Sequence, residues 1–359
     1  MVTAVVTGQA HAVPPAVSHQ GLWDDYFRAH FAGDHMAERV WRAAGIRTRH
    51  GVTMPPAVDV SRWGTGARME RYVSEALPLG KEALAAALAR AGLDAGDVGL
   101  FGVATCTGYA TPGVDILLAR DLGMAPDVQR LLVGHMGCYA AVPALGAVAD
   151  YVTARARPAV LLCIELTSLH LQPPPASAGE GVPLDRQGLE QVVAHALFAD
   201  AAAATVVEPG VGGGLAVVDV VAHTDPATSD HMSWDVTDLG FRMGLSPWVP
   251  DVLARHVRPV VSGLLERHGL AVGDVAGWAV HPGGRRILEV IGERLDLDDA
   301  AMAPAYDILR EYGNCSSATV LLVLEHLRDT RSLAPGDHVV AMAFGPGLTL
   351  YAALLRVTS

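Results

Sequence analysis

The chain has 359 residues, 51% of them hydrophobic, enough to bury a large core and to exclude an intrinsically disordered class. A formal net charge of -12 disfavours an extended nucleic-acid surface, and four widely spaced cysteines without a CxxC pair or zinc-spaced histidines fit a reducing compartment. The apolar N-terminus lacks the basic flank of a signal peptide and no run reaches the roughly 18 apolar residues of a membrane span, so a cytoplasmic protein is expected.

Residues 2–8 predict a strand, and Trp23, Tyr26, Phe27 and Phe31 recur at helical spacing as core, ahead of a helix over 36–44. Arg42, Arg47 and Arg49 surround Gly45 as a basic spot, which by itself reads as a solvated face. The pattern of Met69, Tyr72, Val73, Ala76 and Leu77 predicts a helix that Pro78 breaks or kinks before it resumes over 83–93. A strand over 98–104, a loop from Thr105 to Gly113 and a helix over 114–122 follow. Further strands are expected at 158–166, 202–207, 215–221, 275–280, 339–344 and 348–356, with helices at 189–198, 249–268, 285–295 and 316–327. Glycine enrichment over 210–214 divides the chain into halves of 1–210 and 211–359, each alternating strands with helices.

Three stretches carry chemistry. In the apolar passage from Leu131 to Ala141, Gly134 and Gly137 let the backbone turn at Cys138, where a strand gives way to a helix running to about residue 154. A helix start favours thiolate, making Cys138 a candidate nucleophile; a lone cysteine in an apolar segment also suits a buried core. His281 stands at a strand end before Pro282-Gly283-Gly284. Asn314 lies in Gly313-Asn314-Cys315-Ser316-Ser317, which reads as the polar, small-residue cap that opens a helix.

These segments, with Glu165-Leu166-Thr167, Ala196-Leu197-Phe198-Ala199-Asp200 and Gly345-Pro346-Gly347-Leu348-Thr349, resemble the type III polyketide synthases, the chalcone synthase family, from end to end. The resemblance implies an α/β fold of thiolase-like αβαβα layers built from two pseudo-equivalent halves. It implies an acyltransferase that loads an acyl group from acyl-CoA onto Cys138 and condenses it with the enolate of decarboxylated malonyl-CoA. No cofactor beyond these substrates is implied. His281 and Asn314 would hold the enolate oxygen, and Phe198 would be a gatekeeper. Cys106, Thr107, Thr167, His170, Trp234, Met243 and Ser316 would line the cavity, and Arg42 and Arg47 would meet the coenzyme A phosphates. A homodimer is implied, with Thr111 completing the neighbouring cavity. Met243, Trp234 and His170 depart from the plant pattern and point away from chalcone itself. The bacterial alkylpyrone and alkylresorcinol branch, with a fatty acyl starter, is closest. A malonyl-only tetrahydroxynaphthalene-type synthase and a ketoacyl synthase III-like condensing enzyme are the alternatives. Trp234 would make the cavity floor shallow, while Met243 and the small Cys106 open another wall to an aliphatic tail.

Overall fold

Runs of small and β-branched residues, apolar on both faces, build the interior strands of a computed structural model that describes residues 2–179, 181–210 and 212–359. The strands in chain order are β1 Ala4–Ala12, β2 Ala16–Ser18, β3 Thr48–His50, β4 Leu100–Ala104, β5 Gln129–Val133, β6 Ala159–Leu166 and β7 Asp200–Pro209. They continue as β8 Leu215–Thr224, β9 Met232–Thr237, β10 Gly240–Leu245, β11 Val275–Val280, β12 His338–Gly345 and β13 Thr349–Val357. Among the described residues, nine of them form one sheet in the order β11-β12-β13-β8-β1-β7-β6-β4-β5.

The sheet is two half-sheets joined at β1 and β8 through only two residue pairs, Val5 with Ala216 and Val6 with Leu215. Outward from that seam the directions repeat. β1 meets β7 antiparallel, β7 meets β6 antiparallel and β6 meets β4 parallel. β8 meets β13 antiparallel, β13 meets β12 antiparallel and β12 meets β11 parallel. Helices Ala141–Arg155 and Ala318–Thr330 pack against strands of both half-sheets, while Thr65–Ala91 covers the first outer face and Val249–Glu266 the second. The result is the αβαβα layering that the resemblance implies. The central helix Ala318–Thr330 is buried almost all round, as a helix between two sheets must be.

Four expectations are corrected. Helix Thr65–Ala91 runs unbroken through Pro78, which faces solvent, where the carbonyl left without an amide partner turns to water. The helix after the candidate nucleophile begins at Ala141; Cys138 occupies a separate 3-10 turn, Gly137–Tyr139. Helix Asp299–Tyr312 was absent from the expected elements, its pattern interrupted by Pro304, which packs into the core. The hairpin β9–β10 was also absent, because its apolar residues do not alternate cleanly. Val211, at the expected boundary between halves, lies outside the described residues. No helix among those residues is long and apolar enough to cross a membrane.

Candidate active site

The two central helices start at the same end of the molecule, and the chain entering each carries a candidate residue. Before the first, Gly137 has φ 68°, and a Cβ there would lie 2.7 Å from Pro346. Only glycine satisfies both constraints, so Gly137 sets the turn that buries Cys138 under the last strands. A Cβ at Gly345 would lie 3.3 Å from the Cys138 amide nitrogen, which gives the Gly-Pro-Gly segment a packing role at the nucleophile. Before the second helix, Asn314 forms a parallel bridge with Phe198 and is not the helix cap; Ser317 takes that position. The Ser316 amide donates to Asn314 Oδ1 at 2.9 Å, which leaves the side-chain NH2 to face Cys138. Ser316 adopts φ 49°, a strained backbone for a non-glycine residue at this turn.

His281 ends β11, fully buried, with its ring edge-on to Phe344 at 5.5 Å. Phe344 directly precedes Gly345, so the histidine and the cysteine share one neighbourhood. A Cβ at Gly283 would lie 2.6 Å from the Phe344 ring, so the turn after His281 has no space for a side chain. Among the described residues, neither ring nitrogen of His281 has a hydrogen-bond partner. Burial alone pushes its pKa down to about 3. Burial pushes the Cys138 thiol up to about 12, with the Glu165 charge adding to the rise and the Ser316 and Asn314 side chains easing it. The expected low-pKa thiolate is therefore corrected: lying ahead of the helix, and desolvated, the sulfur holds its proton.

Cys138 opens on a chamber of ≈ 20 Å³, lined also by Cys106, Thr107, Gly137, Thr167, Phe198, Trp234, Met243, Ser316 and Pro346. The structure thus brings together all but His170 of the expected cavity residues. His170 stands just behind: its Nε2–H donates to the Thr107 carbonyl at 2.7 Å, its Nδ1 accepts the Phe241 amide at 2.9 Å, and it stacks on Phe241. Trp234 and Met243 oppose each other across the hairpin, so both reach the same face. The Trp234 indole N–H donates to the Cys106 carbonyl at 2.8 Å. Cys106 opens no aliphatic wall. Its amide donates to Glu165 at 3.0 Å and its sulfur lies 3.5 Å from the Ser316 hydroxyl, so its surroundings are polar and filled.

Glu165, noted in the sequence only within Glu165-Leu166-Thr167 and given no role there, is the hub behind this wall. It is fully buried and accepts from Ser317 at 2.5 Å, Thr107 at 2.8 Å and Cys106, and burial pushes its pKa up. Its signal was a lone carboxylate inside the apolar strand β6.

Two larger cavities flank helix Arg186–Leu197. One, of ≈ 540 Å³, shares Thr167, Phe198, Trp234 and Met243 with the chamber. The other, a groove of ≈ 560 Å³, has apolar walls from Val40, Ala43, Leu245 and Phe344, the Gly283-Gly284 turn at one side, and Arg186, Arg285 and Arg286 at its edge. Arg42 and Arg47 line neither cavity; Arg42 pairs with Glu38 and Arg47 with Glu311. Among the described residues, no group of three His, Cys, Asp or Glu side chains is placed to hold a metal ion.

Residues 2–211 match the family model "Chalcone and stilbene synthases, N-terminal domain", and residues 217–359 match its C-terminal counterpart. The chain belongs to the chalcone and stilbene synthase family. As a type III polyketide synthase it is a condensing acyltransferase. It is 35% identical to the 1,3,6,8-tetrahydroxynaphthalene synthase of Streptomyces peucetius subsp. caesius, over 89% of this chain and 83% of that protein. It is 31% identical to the alpha-pyrone synthesis polyketide synthase-like Pks18 of Mycobacterium tuberculosis, over 99% of this chain and 91% of that protein. Among solved structures, the tetrahydroxynaphthalene synthase of Streptomyces coelicolor A3(2) superposes with a TM-score of 0.89 at 27% identity, covering 99% of both chains. PKS-I of the brown alga Ectocarpus siliculosus gives 0.87 at 28% identity, again over 99% of both.

Proposed function

We propose that this synthase takes a fatty acyl starter from coenzyme A onto Cys138, extends it with malonyl-CoA, and releases an alkylpyrone or alkylresorcinol. The observation that supports the chemistry is His281, fully buried with two unpartnered ring nitrogens and packed on Phe344, whose neighbour Gly345 abuts the Cys138 backbone. In loading, the Cys138 proton passes to His281 as sulfur attacks the thioester carbonyl, and the departing coenzyme A sulfur takes that proton. In extension, the malonyl carboxylate leaves as carbon dioxide and its bonding electrons form an enolate. The His281 N–H and the Asn314 NH2 donate to the enolate oxygen while its carbon attacks the acyl-Cys138 thioester, whose carbon–sulfur bond then breaks, and the released Cys138 thiolate takes up a proton from water.

Coenzyme A fits the groove of ≈ 560 Å³. Its apolar wall suits the pantetheine arm, and Arg186, Arg285 and Arg286 suit the phosphates. Arg42 and Arg47, which do not line the groove, would serve as flanking cations. We take 1–210 and 211–359 as the two domains, a homodimer as the assembly and the cytoplasm as the compartment.

A malonyl-only synthase is the second reading, favoured by the small chamber closed by Trp234. Mass spectrometry of products from malonyl-CoA alone and with acyl-CoAs from hexanoyl to palmitoyl separates the two. Products carrying the alkyl tail are expected; a single product from malonyl-CoA alone, unchanged by any acyl-CoA, would overturn the starter assignment.

A further inference from the structure

Arg49 belongs in sequence to a basic spot that reads as a solvated face, yet in the fold it is only 4% exposed and takes no part in loading or extension. Its guanidinium lies over the Trp41 ring, 5.2 Å from the centroid. Among the described residues its hydrogen bonds leave from Nη1 alone, to the His195 carbonyl and, at 3.0 Å, to the Phe198 carbonyl. Nε is buried without a partner. Asp200 attracts the charge without pairing to it, and its own oxygens are taken by the Val52 and Ser168 amides, both at 2.8 Å, and the Ser168 hydroxyl at 2.5 Å. A buried guanidinium is costly unless its fork finds acceptors and a counter-charge. The helix-end carbonyls and the Trp41 face meet part of that need, and the rest of the fork is left over.

Beside it lies a third cavity, of ≈ 40 Å³, lined by Arg49, Thr53, Ser168 and His195 with apolar walls from Phe27 and Leu171. The hydroxyl protons there are already given, Thr53 to Ser168 at 3.2 Å and Ser168 to Asp200. His195 Nε2 accepts the Gln172 amide at 3.4 Å, while burial, followed by the charges of His30, Arg49 and Arg68, keeps the ring neutral. Its one proton therefore sits on Nδ1, as a donor. The cavity thus combines an uncompensated cation with room for a few waters or one small ion.

We infer that this cavity is a site for one small monovalent anion, a halide or bicarbonate, held by the Arg49 guanidinium. Thr167 and Phe198 wall both this cavity and the Cys138 chamber, and Arg49 holds the Phe198 carbonyl. The anion therefore anchors the side of the chamber that Phe198 closes, whichever starter the synthase takes.

Crystals soaked in sodium bromide should show an anomalous bromide peak within hydrogen-bond reach of Arg49; water alone at that place would overturn the site. In solution, urea unfolding at constant ionic strength compares bromide with gluconate, an anion too large to enter. Above the dissociation constant of bromide, each tenfold rise in its concentration should lower the unfolding equilibrium constant about tenfold. Arg49→Met should lose that dependence. Should that variant fold poorly, Thr53→Leu, which fills the cavity and keeps the guanidinium, gives a second measurement and should lose it too. Equal stability in bromide and gluconate, or a bromide dependence that survives either substitution, overturns the site. Bicarbonate added to the soak distinguishes the occupants: a displaced bromide peak supports a bicarbonate site, and a peak that withstands it supports a halide site.

Discussion

Burial acts on Cys138 and His281 in opposite senses, lifting the thiol to about 12 and dropping the imidazole to about 3. At neutral pH the sulfur becomes nucleophilic only as its proton moves to His281. His281→Gln should therefore slow iodoacetamide alkylation of Cys138 at pH 7 by at least about a hundredfold, with recovery only toward the raised thiol pKa. An unchanged rate would remove His281 as the base. Asn314→Ala should keep alkylation but lose malonyl-CoA decarboxylation by roughly a hundred- to a thousandfold. These three candidates stood out in the sequence because each lies where glycines or a strand end force a particular backbone. Glu165 did not, since a strand of otherwise apolar residues gives no hint that Ser317 and Thr107, distant in sequence, meet its carboxylate.

At the scale of elements, strands and helices with clean periodicity were legible, whereas the β9–β10 hairpin that supplies Trp234 and Met243 was not. Its residues face a cavity and the opposite strand rather than a simple core, so the two-residue alternation is blurred. Pro78 misled for a related reason: helix Thr65–Ala91 is held by packing against β1 and β7, which outweighs one lost hydrogen bond on its solvent side. Among the described residues strand β5 ends the sheet with an unpaired edge; its Leu132 is 55% exposed, and Tyr109, in the loop after β4, is 68% exposed. An edge with exposed apolar side chains is a template for a second copy. Sedimentation should show a dimer, and Leu132→Glu should shift it toward monomer. A wild-type monomer at micromolar concentration with full activity would contradict the homodimer.

Across the whole molecule, buried histidines make stability depend on acid. His19, His170 and His281 are pushed down to about 3, His30 to about 4 and His195 well below its usual value, all led by burial. Below pH 6.5 the unfolded chain binds protons that the folded chain refuses, so stability is lost as pH falls. Asp200, raised to about 6, and Glu165, also raised, act in the opposite sense. The depressed histidines outnumber the two raised carboxyls, so on balance unfolding takes up protons near pH 5.5. The urea midpoint should drop clearly between pH 7.5 and 5.5, and an unchanged midpoint would contradict this. A layered α/β fold followed from the order of strands and helices and its αβαβα form from the resemblance; the seam at β1 and β8 was not legible, because two short pairings leave no pattern. What joins the halves also joins the chemistry, and peptide-mapped mass spectrometry after incubation with an acyl-CoA tests that junction most directly. The acyl mass should map to Cys138 and vanish in Cys138→Ala; an adduct on Cys106, Cys163 or Cys315, or one that persists in the variant, would contradict the account.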